Sequence, residues 1–246
     1  MKTVEENTLR QLPLDFKIQP GMGRGDFMVS VCNSEAFEMV DAWPDWVACG
    51  LVIYGPSGCG KSHLAHLFAE KVSDRGLPVT IKTASALNMR NIKKIAEENQ
   101  VLIVEDVEPE NNNEALFHLF NLFNEEGRYM LWTAKEAPAR MRFPLKDLQS
   151  RLNMLPSVAI KEPDDMMLQM LIVKLFDDRQ IIISEEILNY MLNNVRRSFS
   201  YIRDLVAEID KISLACQSGV NYQIVKKAIE VLALKENSQP DLFDER

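Results

Sequence analysis

At 246 residues the chain has room for one large α/β domain, or for a medium domain with a smaller partner. Apolar residues make up 46% and charged residues 26%, a balance that excludes an intrinsically disordered polymer. With 28 Lys and Arg against 36 Asp and Glu, the net charge of −8 argues against a general nucleic-acid binder, because neutralising phosphates needs a basic surplus on the contacting face.

Residues 1–25 are mostly polar, with Pro13, Pro20, Gly21, Gly23 and Gly25, and read as a flexible lead-in. Their start has no apolar segment of a secretory signal, and no later window approaches the roughly 18–20 apolar residues of a membrane span. Cys32, Cys49, Cys59 and Cys216 lack the paired spacing of a disulfide framework or zinc site. A cytoplasmic protein with reduced thiols and no membrane partner is therefore expected.

From Gly50 the pattern becomes periodic. An apolar run at Leu51–Tyr54 meets a Gly/Pro-rich turn, and an amphipathic helix follows from Lys61 to about Ser73. Further strands are predicted at Val79–Thr83, Val101–Val104, Tyr129–Thr133 and Ser157–Ile160, with helices around Leu87–Glu98 and Asn113–Glu126. Such alternation implies an α/β fold, a parallel sheet sandwiched by helices. After Pro163 the alternation stops. Capping residues at Asp164 or Asp165, Ser184, Ser198 or Ser200, and Asn221 open four helices that predict a small all-α domain. The expected organisation is a tail over 1–23, a sheet domain over 24–162, a helical lid over 163–235 and an acidic tail over 236–246.

Gly55-Pro56-Ser57-Gly58-Cys59-Gly60-Lys61-Ser62 fits G-x-x-x-x-G-K-[ST] in full, after a predicted strand and opening a predicted helix. Glycines let successive backbone N–H groups turn inward around a phosphate, at the positive end of the helix. Lys61 can reach the β and γ oxygens of a nucleotide, and the Ser62 hydroxyl can ligate Mg²⁺. Carboxylates at the end of the third strand, Glu105 and Asp106, are placed to hold Mg²⁺ or its water and to orient an attacking water. His63 and His66, three apart, read as helix surface and core edge rather than a metal site, and Trp43 and Trp46 as core. Cys59 reads as a loop filler that oxidation can perturb. Arg151, in Leu148-Gln149-Ser150-Arg151-Leu152, is expected in a polar turn before the last strand, and Arg203 on a helix able to fold over the phosphates. Arginines suit charge on a transferring phosphoryl group, and each also has an ordinary surface reading.

The phosphate loop, the Ser150-Arg151-Leu152 arginine, the helical lid and Ile202-Arg203-Asp204-Leu205, in that order, resemble the AAA+ domain of the bacterial initiators of the DnaA family over about residues 24–235. The chain is more closely similar to the Hda family of DnaA-related regulators, which lack the initiator's DNA-binding domain. By this resemblance Lys61 and Ser62 are Walker A, and Glu105 and Asp106 are Walker B. Thr133 is sensor 1, Arg151 the arginine finger and Arg203 sensor 2, while Asp26–Asn33 helps enclose the base and ribose. AAA+ proteins usually carry Asp first in Walker B. The Glu105-Asp106 order shifts each carboxylate by about 1.5 Å, which counts against intrinsic hydrolysis more than against binding.

Gln11-Leu12-Pro13-Leu14-Asp15-Phe16 resembles the hexapeptide by which bacterial proteins dock on the sliding clamp, Leu14 and Phe16 entering an apolar pocket and Gln11 bonding at its edge. Gln239-Pro240-Asp241-Leu242-Phe243 is a second candidate of that kind. The resemblance implies ADP or ATP with Mg²⁺ as ligands, and the clamp and the ATP form of DnaA as partners. It implies no strong direct DNA binding and leaves a homodimer open. The expected role is a regulator that inserts Arg151 into the nucleotide site of ATP-bound DnaA and promotes hydrolysis there, its ADP-bound form being active. A helicase-loader-like ATPase and a small-molecule P-loop kinase are the alternatives.

Overall fold

A computed structural model describes residues 27–237, with side chains to Lys235. Five parallel strands form one sheet: β1 (Gly50–Tyr54), β2 (Val79–Thr83), β3 (Val101–Glu105), β4 (Tyr129–Ala134) and β5 (Ser157–Ala159), in the order β2-β3-β4-β1-β5. β1, β3 and β4 are short apolar runs and almost wholly buried, as a parallel sheet covered on both faces requires, whereas β2 at the edge of the sheet is half-exposed. The register Tyr54↔Ala134 and Val104↔Trp132 brings the carboxyl ends of β1, β4 and β3 to one rim.

On one face α1 (Ser34–Asp41) and α2 (Lys61–Asp74) pack with Leu51, Ile53, Val101, Ile103 and Leu131. On the other face α3 (Ile92–Glu98), α4 (Asn113–Glu125) and α5 (Lys146–Met154) enclose Val52, Leu102, Val104, Met130 and Trp132. The two sets alternate along each strand, so the pleat itself sorts the cores. Four helices follow: α6 (Asp165–Asp177), α7 (Glu185–Asn194), α8 (Phe199–Cys216) and α9 (Tyr222–Asn237). Asp164, Ser184 and Ser198 cap the first three, their side chains accepting from the N–H of Met167, Ile187 and Tyr201. The apolar faces of these helices join the α2 core, so one continuous cluster runs from Cys32 to Leu232.

Three elements differ from the sequence reading. Arg151 lies in helix α5, not in a polar turn: Leu148 and Leu152, four apart, are buried against α4 and hold a helix whose other face is polar. The predicted Leu87–Glu98 helix starts only at Ile92, because Asn88 and Asn91 bond backbone N–H groups of the preceding loop. Helix α1 was not anticipated; its buried residues are only Ala36 and Val40, too sparse a pattern to read.

Candidate functional site

The loop between β1 and α2 is tied to the end of β4, the Gly55 N–H donating to the Ala134 carbonyl at 3.2 Å. A Cβ at Gly55 would lie 2.4 Å from the Ile160 carbonyl oxygen, so β5 and the loop meet only through glycine. Gly60 caps α2 in the left-handed region at φ 99° with no side-chain cap, leaving the first N–H groups of the helix to face an anion. Lys61 is buried, and its Nζ donates to the carbonyls of Gly55 (2.7 Å) and Pro56 (2.9 Å). Burial pushes the Cys59 thiol up from its ordinary value, and the Lys61 charge draws it only part of the way back. The thiol therefore stays protonated at neutral pH and fills space.

Next to this loop β3 delivers two acids. Glu105 shares the α2 face with Ile103, and its Oε1 is buried without a hydrogen-bond partner among the described residues. Asp106 turns left-handed at φ 55°, a conformation Asp tolerates better than most residues. Thr133, 1% exposed, fixes that turn: its Oγ1 accepts the Asp106 N–H at 3.1 Å, and its carbonyl accepts the Val107 N–H at 2.8 Å. The orphaned Glu105 oxygen, the Ser62 hydroxyl and Asp106 are hard oxygen donors, a set that fits Mg²⁺.

A cleft of about 450 Å³ opens over the loop. Ser57 to Ser62, Asp106 and Arg203 all line it. Gly55 and Pro56 stand behind it through their carbonyls, and Glu105 and Thr133 lie off its wall. Helix α8 closes one side: a Cβ at Gly58 would lie 3.3 Å from the Ser200 nitrogen and 3.6 Å from Phe199. Protein crowded around the Arg203 guanidinium lowers its pKa from the usual value, with Cys59 opposing the shift. Phe27, Met28 and Asn33 bring part of the Asp26–Asn33 segment to the cleft, Phe27 standing edge-on to His63 with centroids 5.1 Å apart; Asp26 lies outside the described residues. Arg151 is exposed on α5 and is not on the cleft wall. Gln11, Leu12, Leu14 and Phe16 lie outside the described residues, as does Gln239–Phe243.

Sequence reasoning missed Lys135 and the α6 side chains Met167 and Leu171, all on the cleft wall. A charged residue directly after an apolar strand, at the carboxyl rim of a parallel sheet, is a signal for Lys135. The α6 residues carry no such signal, since only the chain's return over the loop brings them there.

The family described as the bacterial DnaA ATPase domain matches residues 24–159, more than half of the chain. The chain belongs to the DnaA ATPase domain family. It is 28% identical over 203 residues to the chromosomal replication initiator protein DnaA of Flavobacterium psychrophilum, covering 73% of itself and 41% of that relative. The chain thus spans less than half of that DnaA's length. Domain III of Thermotoga maritima DnaA superposes with a TM-score of 0.73 at 22% identity, over 90% of this chain and 99% of that one. An AMPPCP-bound DnaA from Aquifex aeolicus superposes with a TM-score of 0.68 at 19% identity, over 94% and 76%. The DnaA fold and its parallel P-loop sheet are therefore those of this chain.

Proposed function

We propose that this DnaA-family chain is a nucleotide-dependent regulator of replication initiation that acts on a DnaA initiator rather than at an origin. In this reading Lys61 and the loop N–H groups bind the phosphates of ADP or ATP, Ser62 and Glu105 hold Mg²⁺, and Arg203 closes over the nucleotide. Mg²⁺, when bound, supplies charge neutralisation at the β and γ oxygens. The AMPPCP held by the Aquifex aeolicus relative supports the nucleotide assignment.

The observation that carries the regulatory reading is the position of Arg151. It is exposed on α5, outside the wall of the chain's own cleft, where the cations are Lys61, Arg203 and other residues. An arginine presented outward suits a phosphate site on a neighbour, and an arginine finger given in trans stabilises the charge of the transferring phosphoryl group. Arg151 then acts on ATP bound to DnaA, while Asp106 and Thr133 shape the chain's own site as a switch. Gln11, Leu12, Leu14 and Phe16 dock the chain on the DNA-loaded sliding clamp. Hydrolysis of DnaA-bound ATP, followed with clamp loaded on DNA, tests this. Wild-type chain is expected to stimulate hydrolysis, with stimulation lost in Arg151→Ala and strongly reduced in Gln11→Ala. Undiminished stimulation by both variants would sink the mechanism.

A further inference from the structure

The two ends of the cleft differ in chemistry. At the phosphate loop it offers N–H groups, Lys61 and Arg203, whereas along α6 it is lined by Met167, Leu171 and Leu175 and by the charged Lys174 and Asp178. Helix α6 packs on α8 and leads away from the loop with it. The first turn of α8 stands at Gly58, and Arg179, just past the end of α6, reaches Asp210, ten residues further along α8 than Ser200. The charged end of α6 is therefore about 15 Å along α8 from the loop. A nucleotide whose phosphates rest on the loop places its base among the apolar side chains of α6, with its hydrogen-bonding edge toward Lys174 and Asp178.

The other polar side chains at this end are committed elsewhere. Asn33 closes its own segment, Nδ2 donating to the Met28 carbonyl at 2.9 Å and Oδ1 accepting the Ser30 N–H at 2.8 Å. Arg179 donates to the Leu175 carbonyl at 2.8 Å and pairs with Asp210. Lys174 and Asp178 are joined to each other, Nζ to Oδ1 at 3.3 Å, both side chains largely buried. That bond leaves capacity on both partners, because an ammonium has three donors and a carboxylate about four acceptor sites. One turn of α6 thus holds a donor and an acceptor side by side on the cleft wall. Nucleobases offer two kinds of edge to such a pair. Adenine and cytosine carry an amino donor beside a ring-nitrogen acceptor, whereas guanine and uracil carry an oxo acceptor beside a ring N–H donor.

We propose that Lys174 and Asp178 select the base of the bound nucleotide, Asp178 accepting from an exocyclic amino group and Lys174 donating to the ring nitrogen beside it. The inference rests on the nucleotide reading of the cleft and adds the class of base that the cleft takes. An oxo base in the same place turns its carbonyl oxygen toward the Asp178 carboxylate and its ring N–H toward the Lys174 ammonium. Both contacts are then repulsive, and selection comes from rejection as much as from attraction.

Calorimetric titration of the full chain with ADP, GDP, CDP and UDP in Mg²⁺ tests the proposal, with inorganic tripolyphosphate as a ligand that has no base. Wild type is expected to bind ADP about tenfold more tightly than GDP, and CDP about tenfold more tightly than UDP. Asp178→Asn, whose amide both donates and accepts, should bring each pair to within about threefold. The Lys174→Glu/Asp178→Lys exchange should invert both preferences. Tripolyphosphate affinity should stay within about twofold in all three proteins. Wild type that binds both members of each pair equally, preferences that survive in both variants, or a parallel loss of every ligand in the variants would overturn the proposal and leave the nucleotide site standing. Wild-type chain that binds none of the four nucleotides would overturn the nucleotide reading itself, and this inference with it.

Discussion

At Gly55 an added methyl group would sit 2.4 Å from the Ile160 carbonyl, and neither partner is free to move. Ile160 is anchored by its own N–H to Tyr54, and Gly55 by its N–H to Ala134. Gly55→Ala is expected to destabilise the fold by about 1–3 kcal/mol, the cost of overpacking a constrained contact. At Gly219 a Cβ meets nothing within 4 Å among the described residues and the backbone is not left-handed, so Gly219→Ala should stay within about 0.5 kcal/mol. Urea unfolding of the two variants measures the contrast, and similar midpoints would refute it. The same residue-level reading separates the two Walker-type acids. Glu105 is an end-of-strand carboxylate whose buried Oε1 has no hydrogen-bond partner among the described residues, whereas Asp106 owes its place on the cleft wall to a left-handed backbone pinned by Thr133.

Among the elements, α6 illustrates how a capping residue can do two tasks. Asp164 accepts the Met167 N–H at 2.8 Å as cap and the Cys32 N–H at 3.2 Å, stitching the segment before α1 to the start of the C-terminal helices. Burial pushes its pKa up, but these bonds and one from the Ser30 hydroxyl outweigh it and hold the carboxyl below its usual value. A lowered folded pKa means stability that is present above the unfolded value of about 3.9 and is lost as the pH falls through the folded one. Asp164→Asn keeps a capping oxygen and removes the charge. Its stability should fall short of wild type at pH 7, and the two should converge in acid. Urea melts at pH 7 and pH 3 check this; a gap that stays constant would assign the effect to packing. Elements like these were readable when their determinants are local. The strands stand out as apolar runs between breakers, Ser184 caps where expected, and of Ser198 and Ser200 it is Ser198 that caps α8. Helix α5 was not readable, because Gln149, Ser150 and Arg151 look like a turn until α4 buries Leu148 and Leu152. The phosphate loop was readable from spacing alone, whereas Met167 and Leu171 reach the cleft only through the fold.

For the whole molecule, the feature that matters is the single apolar cluster joining α2, the sheet and the C-terminal helices, with Arg203 on α8 facing the phosphate loop. A ligand held by both the loop and α8 binds the folded chain alone, and so stabilises it by mass action. ADP at about 100 times its Kd should add about 2.7 kcal/mol, raising the Tm by roughly 5–10 °C for a chain of this size. At the same free ADP, Arg203→Ala should show a smaller rise from an unchanged ligand-free Tm. Equal rises would remove Arg203 from the site. The net charge of −8 also takes on a different meaning at this scale. Under the proposed function the chain meets DNA through partners that hold the DNA themselves, so a shortage of positive charge is no handicap.

The strand order carries a consequence for synthesis. Strand β1 lies second from one edge of the sheet, between β4 and β5, yet it precedes both in the chain, at Gly50–Tyr54 against Tyr129–Ala134 and Ser157–Ala159. Each neighbour that shapes the phosphate loop therefore leaves the ribosome long after the loop itself. Contacts this distant in sequence are slow to close and form late. During translation the glycine-rich segment lacks these contacts until Ala134 and Ile160 arrive to fix it. A nascent chain stopped short of them carries the whole nucleotide signature in its sequence and has no site with which to use it.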